Sequence, residues 1–226
     1  MMNFQTIDCL GVVLAGGLSS RMGQDKAQLT RQFSQANSSN KQADKSAMKS
    51  LSTMLDFSKQ LLSDAGIKNI VVSGDNHQIP DRVSQAGPVG GIYSVLAHYP
   101  EHLQPKALLI LPVDLPFMTA AALATLRLKG ELSNKATFFT DSQQQIHHIP
   151  LYLPNNAFLN MFLMQAFQRE KILANGNKSD KKNTKNGPSV RAMLAQVPHQ
   201  AISSPNSKVL FNSNTPEQWE QAKKQF

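Results

Sequence analysis

Short apolar runs alternate along this chain with longer stretches in which apolar residues recur at helical spacing. "CLGVVLAGG" (9–17), "NIVVSG" (69–74), "ALLILPVD" (107–114) and "ATFFT" (136–140) are aliphatic or β-branched and only a few residues long. Runs of this kind read as strands buried on both faces. Between the first two, Met48, Leu51, Met54, Leu55, Leu61 and Leu62 keep a near-helical period over 47–66, and Gly66 is placed to stop that helix. "GGIYSVLAHYP" (90–100), "TAAALATLRLKG" (119–130), "NNAFLNMFLMQAFQREKIL" (155–173) and "PSVRAMLAQV" (188–197) predict further helices. In the second of these four, Thr119 is placed to cap and Gly130 to terminate. The alternation predicts one doubly wound α/β domain over residues 1–226, a mostly parallel sheet flanked by helices.

Two polar stretches interrupt the pattern. "TRQFSQANSSNKQADKS" (30–46) and the lysine-rich segment 170–187 have almost nothing to bury, and both are expected to be flexible insertions. The formal net charge is +8, and Arg169, Lys171, Lys178, Lys181, Lys182 and Lys185 against Glu170 and Asp180 supply half of it. Charge confined to one stretch without an aromatic residue to stack a base reads as a solvated loop, so no nucleic-acid partner is expected. Cys9 is the only cysteine, which excludes an internal disulfide framework and fits a reducing compartment. The N-terminal residues lack a basic signal-peptide region, and no apolar run approaches the roughly 18 residues that span a bilayer. A cytoplasmic protein with no membrane partner is expected.

The chemistry concentrates in "GVVLAGGLSSRMGQDKA" (11–27). An apolar strand stops at Gly16 and Gly17, and Ser19, Ser20, Arg21, Asp25 and Lys26 follow. Ligands of open α/β sheets gather at the carboxyl ends of strands. Glycines there let backbone N–H groups approach an anion, and Arg21 and Lys26 supply charge suited to a phosphate chain. The spacing is neither the Walker pattern nor G-x-G-x-x-G. Asp114 ends another apolar strand, where a carboxylate is either a hard ligand for Mg²⁺ or the cap of the turn into Pro116. Asn212 and Asn214 alternate along an extended segment and point one way, while Thr215, Pro216 and Glu217 read as a helix start; both can hold. His147 and His148 are neighbours on an extended segment and point to opposite sides, so they make no two-ligand metal pair. Cys9, just before the first strand, reads as a buried apolar residue.

"LAGGLSSRMGQDKA" (14–27) resembles the signature loop L-A-G-G-x-S-x-R-M-G-x-D-K of the nucleotidyltransferase family that includes the molybdenum cofactor guanylyltransferases. "GPVGGI" (87–92), "LPVDLPFM" (111–118), "HHIPLYL" (147–153) and "FNSNTPEQW" (211–219) resemble further family segments in the family's order, the third of them the H-P segment near the pterin side. The resemblance implies a Rossmann-like nucleotidyltransferase fold. It also implies transfer of GMP from GTP to the phosphate of molybdenum-bound molybdopterin, with Mg²⁺ as cofactor and pyrophosphate released. It assigns Leu14, Ala15, Gly16, Gly17, Lys26, Ser73, Asp81 and Asp114 to the nucleotide, and Arg21, Lys26 and Asp114 to catalysis. It makes Asp114 the metal ligand, and places Asn212 and Asn214 on the acceptor side, by the molybdopterin, or in support of the metal. Molybdoenzyme chaperones or other proteins of the cofactor pathway are the partners it suggests. The chain departs from the family after Lys26, where a short strand leading into G-K-P-L is replaced by the polar stretch 30–46. Base choice stays open on residues alone: a related transferase using CTP or a sugar-phosphate acceptor shares the loop. A nucleotide-binding protein without catalysis and a nucleic-acid-binding protein are the other readings. The basic loop Lys178–Lys185 is a candidate contact for the anionic pterin phosphate or for an acidic partner.

Overall fold

The computed structural model describes residues 6–16, 25–32, 51–173 and 186–226. Its centre is a six-stranded sheet of β1 (Cys9–Leu14), β4 (Asn69–Ser73), β5 (Ala107–Pro112), β6 (Ala136–Thr140), β7 (Ile146–Pro154) and β8 (His199–Ser203), in the order β4-β1-β5-β7-β6-β8. Strands β4, β1 and β5 are parallel; β7 runs antiparallel to both of its neighbours, and β6 and β8 pair in parallel. The mostly parallel sheet expected from the sequence is thus present, with one reversed strand.

Alternation along the strands divides the core in two. Val13, Leu109, Leu111 and Phe139 face α1 (Met54–Asp64), α3 (Ala120–Ser133) and α6 (Pro216–Lys223). Leu10, Val12, Leu108, Ile110 and Phe138 face α2 (Gly87–Leu96), α4 (Ala157–Leu173) and α5 (Val190–Leu194). Helices cover both faces, which is why the strands read as continuous apolar runs. Among the described residues no helix is long and apolar enough to cross a membrane.

Several boundaries differ from the sequence reading. The helix expected over 47–66 begins at Met54, because Thr53 and Asp56 form a capping box that fixes its start. Leu51–Thr53 is instead strand β3, paired antiparallel with β2 (Thr30–Gln32). The polar stretch expected to begin at Thr30 therefore starts inside a two-stranded ribbon, and residues 33–50 lie outside the described residues. Arg31 of this ribbon lies 4.1 Å over the Phe57 ring and 4.5 Å over that of Phe226. Gly130 does not end α3, which continues to Ser133 and stops at Asn134 in the left-handed region, φ 51°. Gly130 is there for space: a Cβ would stand 2.0 Å from Cδ1 of Tyr152 on β7. Helix α2 begins at Gly87, earlier than the apolar period suggested, since Pro88 at its first turn needs no N–H partner. Cys9 is the first residue of β1 and half-buried; burial pushes its thiol up to about 12. Residues 174–185 of the lysine-rich segment, Lys178–Lys185 included, lie outside the described residues. The chain beyond them is pinned to the start of α2, where Asn186 donates through N–H to the Gln85 carbonyl and through Nδ2 to that of Ser84.

Candidate functional site

Strands β4, β1 and β5 all end on one side of the sheet, and the amino end of the reversed β7 enters on that same side. A cavity of about 330 Å³ opens there, lined among others by Leu14, Ala15, Gly16, Lys26, Asp114, His147 and Asn212. Six of the residues expected at the site from the sequence, Leu14, Ala15, Gly16, Lys26, Asp114 and Asn212, line this cavity, and they come from four separate stretches of chain.

The centre of the cavity is a charge cluster. Lys26 Nζ donates to Asp114 Oδ2 at 3.0 Å and to Asn214 Oδ1 at 2.8 Å. The Lys26 and Asp114 side chains are 17% and 16% exposed, so the pair is largely withdrawn from water. Lys26 stands in a 3₁₀ turn, Lys26–Gln28, capped by Asp25, whose Oδ1 accepts from the Ala27 N–H at 2.9 Å. The buried Ala27 anchors that turn in the core. Asp25, which the sequence placed beside the phosphate charge, serves in this structure to hold the lysine's backbone.

Asp114 lies two residues beyond β5, and its carbonyl accepts from the Ser213 N–H at 2.9 Å and from the Ser213 hydroxyl at 3.2 Å. Ser213 is buried and points at the Asp114 backbone, so Asn212 and Asn214 on either side of it turn the other way, toward the cavity and Lys26. Asn214 is fixed in turn by α6: its N–H and that of Thr215 donate to Gln218 Oε1, and the Thr215 hydroxyl accepts from the Gln218 N–H. Both sequence readings of "NSNTPE" hold together, as a helix cap and as a pair of inward amides. Asp114 Oδ1 is buried without a hydrogen-bond partner among the described residues. A buried carboxylate oxygen is costly to leave unmatched, and its hardness suits a divalent cation.

On the β1–β4 flank the backbone itself comes close. The Ala15 N–H donates to the Ser73 carbonyl at 2.9 Å, and a Cβ on Gly74 (φ 150°) would stand 2.8 Å from the Gly16 nitrogen. The Asp81 carboxylate is next to this contact, 3.4 Å from where a Gly16 Cβ would be. Burial, and second the nearby Asp75, raise the Asp81 carboxyl above its ordinary value. Ser73 is buried, with its hydroxyl unpartnered among the described residues and 3.1 Å from a Cβ built on Gly91 of α2. Ser73 and Asp81 therefore belong to one recess bordered by Gly16, Gly74 and Gly91. Gly17 and Arg21, together with Ser19 and Ser20, lie outside the described residues.

On the β7 side, the sequence reads His147 as no part of a metal pair and, by resemblance, as part of a segment near the pterin side, while Asp141 escapes that reading. His147 lines the cavity, and its Nε2 is 3.3 Å from Oδ2 of Asp141. His148, as expected of a neighbour on a strand, turns to the other face against the Phe138 ring. The signal for the pair is a carboxylate at one end of a glutamine-rich hairpin and a histidine at the other, legible only once the hairpin is known.

A MobA-like NTP transferase domain matches residues 11–173. The chain is 30% identical over 214 residues to a molybdenum cofactor guanylyltransferase of Xanthomonas euvesicatoria pv. vesicatoria (strain 85-10), spanning 92% of this chain and 91% of that protein. Among solved structures it is similar to molybdopterin-guanine dinucleotide biosynthesis protein A from Archaeoglobus fulgidus, with a TM-score of 0.60 at 14% identity over 95% of this chain and 97% of that one. It is also similar to Rv0371C of Mycobacterium tuberculosis H37Rv in complex with manganese, with a TM-score of 0.55 at 12% identity over 97% and 100% of the two chains. At such identities the two structures speak for the fold.

Proposed function

The chain belongs to the MobA-like NTP transferase family, and on that premise we propose that it transfers GMP from GTP to the terminal phosphate of molybdenum-bound molybdopterin. An oxygen of the acceptor phosphate bonds to the α-phosphorus of GTP, the bond from that phosphorus to the bridging oxygen of the β-phosphate breaks, and pyrophosphate leaves with the electron pair. Such a reaction asks for positioning and charge neutralisation and needs no protein nucleophile. The observation that carries the reading is the cluster of Lys26, Asp114 and Asn214, drawn from three distant segments to the carboxyl ends of parallel strands.

Lys26 neutralises charge on the triphosphate, and Arg21 is assigned the same task. The Asp81 carboxylate accepts from the donor edge of guanine, and Gly16, Gly17, Leu14, Ala15 and Ser73 shape the surface on which base and ribose lie. Asn212 and Asn214 face the acceptor. Asp114, with its unmatched Oδ1, would hold Mg²⁺; when bound, the ion draws charge from the phosphate oxygens. The manganese complex of the similar Rv0371C supports a divalent ion of this kind.

The test is pyrophosphate release with molybdenum-loaded molybdopterin, Mg²⁺ and each of GTP, CTP and ATP. Release with GTP alone, lost in Lys26→Ala and Asp114→Ala, is the expected result. Release with CTP alone would move the chain to a cytidylyltransferase, and binding of GTP without release with any nucleotide would make it a non-catalytic binding protein.

A further inference from the structure

Helix α6 and the turn after it touch every segment that builds the charge cluster. At the start of the helix, Gln218 Oε1 accepts from the Asn214 N–H at 2.7 Å and from the Thr215 N–H at 3.1 Å. In its middle, Trp219 and Ala222 are buried in the same core as Ala27, next to Lys26, and Leu115, next to Asp114. Past its end, the Phe226 ring lies 5.7 Å from that of Phe117, in the turn after Asp114, and 5.9 Å from that of Trp219. Phe117 in turn meets Phe211, just before Asn212, at 5.6 Å. Arg31, in the strand after the Lys26 turn, lies over the same Phe226 ring at 4.5 Å. Close-packed contacts of this kind transmit displacement, so the three segments keep their places relative to one helix.

One of these contacts bears on the direction in which Lys26 points. A lysine ammonium has three N–H donors and accepts nothing. Asp114 Oδ2 takes one of them at 3.0 Å and Asn214 Oδ1 another at 2.8 Å. Two bonds from a tetrahedral nitrogen set the direction of the third, and the third is the one Lys26 can offer to a phosphate oxygen. The Asp114 half of that aim is held by Ser213, which donates twice to the Asp114 carbonyl. The Asn214 half is held by Gln218 through the Asn214 N–H. We infer that Gln218 is a positioning residue for nucleotidyl transfer: it fixes Asn214 Oδ1 on Lys26 and so aims the lysine at the triphosphate. The inference rests on the proposed function and deepens it. Gln218 also takes part in the helix cap, where its N–H donates to the Thr215 hydroxyl at 3.3 Å. The two roles use different atoms. Removing the Thr215 hydroxyl weakens the start of α6 and leaves the Gln218 side chain on the Asn214 N–H.

Thr215→Ala is therefore the control for a merely structural role, and Gln218→Glu, which keeps the acceptor oxygen, is the rescue. Both alanine variants are expected to lower the urea midpoint by similar amounts, since each removes one leg of the same cap. The first readout needs no turnover: acylation of Lys26 by an amine-reactive ester in the nucleotide-free chain, followed by peptide mass spectrometry with the exposed Lys106 as internal reference. Gln218→Ala is expected to speed Lys26 labelling by about threefold or more, because one of its two bonds is loosened. Gln218→Glu and Thr215→Ala are expected to label at the wild-type rate. The second readout is pyrophosphate release from GTP with saturating molybdenum-bound molybdopterin. Gln218→Ala is expected to lower kcat about tenfold, Gln218→Glu to restore most of it, and Thr215→Ala to stay within about twofold of wild type. An unchanged labelling rate or an unchanged kcat in Gln218→Ala overturns the inference, as do equal effects of Thr215→Ala. If the wild-type chain releases no pyrophosphate from any nucleotide, the transferase reading fails, and the labelling rates alone decide whether Gln218 aims Lys26. Should Gln218→Ala not fold, Gln218→Asn, whose amide is one methylene short of the two N–H groups, takes its place under the same criteria.

Discussion

On the flank of the cavity formed by β1 and β4, backbone meets backbone: a Cβ on Gly74 would lie 2.8 Å from the Gly16 nitrogen, and small groups at Ser73 and Gly91 complete the recess. On the flank formed by β7 and β6 the polar groups are side chains: His147, held by Asp141, lines the cavity that Asn212 also lines. The first flank lies where three parallel strands end together, the side on which open α/β sheets gather their ligands. The second exists because β7 is reversed and brings its amino end to the same side, with a hairpin that can present side chains. On the β1–β4 flank the glycine contacts are inseparable from the fold, and a change to them is expected to cost stability along with binding. On the β7–β6 flank the two are separable.

The sharpest way to break the comparison is to remove what joins the flanks. Among the described residues, Asp114→Ala leaves Lys26 with Asn214 alone, and Lys26→Ala leaves the largely buried Asp114 carboxylate without its cation. Each is expected to lower kcat by about a thousandfold, as loss of a preorganised charge on a transferring phosphate does, measured by single-turnover pyrophosphate release. Next in size is Gly74→Ala. Its φ of 150° and the 2.8 Å approach to Gly16 leave no room for a methyl group, so a loss of about 2 kcal/mol in urea unfolding is expected, together with weaker GTP binding. Asp141→Asn, on the other flank, is expected to leave the unfolding midpoint nearly where it is. A midpoint that falls as far in Asp141→Asn as in Gly74→Ala would erase the contrast.

Much of the flank at the ends of the parallel strands was legible from the chain alone. Continuous apolar runs ending in "LAGG" and "LPVD" place Gly16 and Asp114 at strand ends, because a strand covered on both faces has no polar alternation to blur its limits. The inward amides of "NSNTPE" followed from alternation, and Ser213, the residue that aims them, was hidden because its partner is a carbonyl 99 positions away. Gly130 misled because a glycine that makes room for a Tyr152 ring has the same letter as one that ends a helix. Ribbon β2–β3 was invisible for a related reason: three residues on each side of a long polar stretch carry too little pattern to be seen. The hairpin that joins Asp141 to His147 shows the general limit. His147 can be put on an extended segment from the sequence, but nothing in "DSQQQ" shows that Asp141 returns to it until the reversal of β7 is known.

Asp81 offers the finest test, since its charge is set by the recess it serves. Burial, with Asp75 adding to it, raises its carboxyl above the ordinary aspartate value. In the proposed role the donor edge of guanine binds the ionised form, so GTP affinity is expected to be present above the Asp81 pKa and to fall as pH drops through it. Because that pKa is raised, the fall begins at a higher pH than an exposed aspartate, near 4, would give. Asp81→Asn offers guanine one acceptor and one misplaced donor; it is expected to weaken GTP at neutral pH by about tenfold and to flatten the acid limb. Stability moves the other way. A carboxyl whose folded-state pKa lies above its unfolded one favours the fold only while protonated, below the unfolded pKa, and that contribution is lost as pH rises through the folded pKa. At neutral pH the wild-type chain therefore carries a charge that the recess disfavours, and Asp81→Asn is expected to melt slightly higher there, with the gain vanishing in acid. GTP titrations and thermal melts at both pH values read the two effects separately. A variant that loses affinity and stability together would mean that Asp81 braces the loop after β4, and that the base is held by something else.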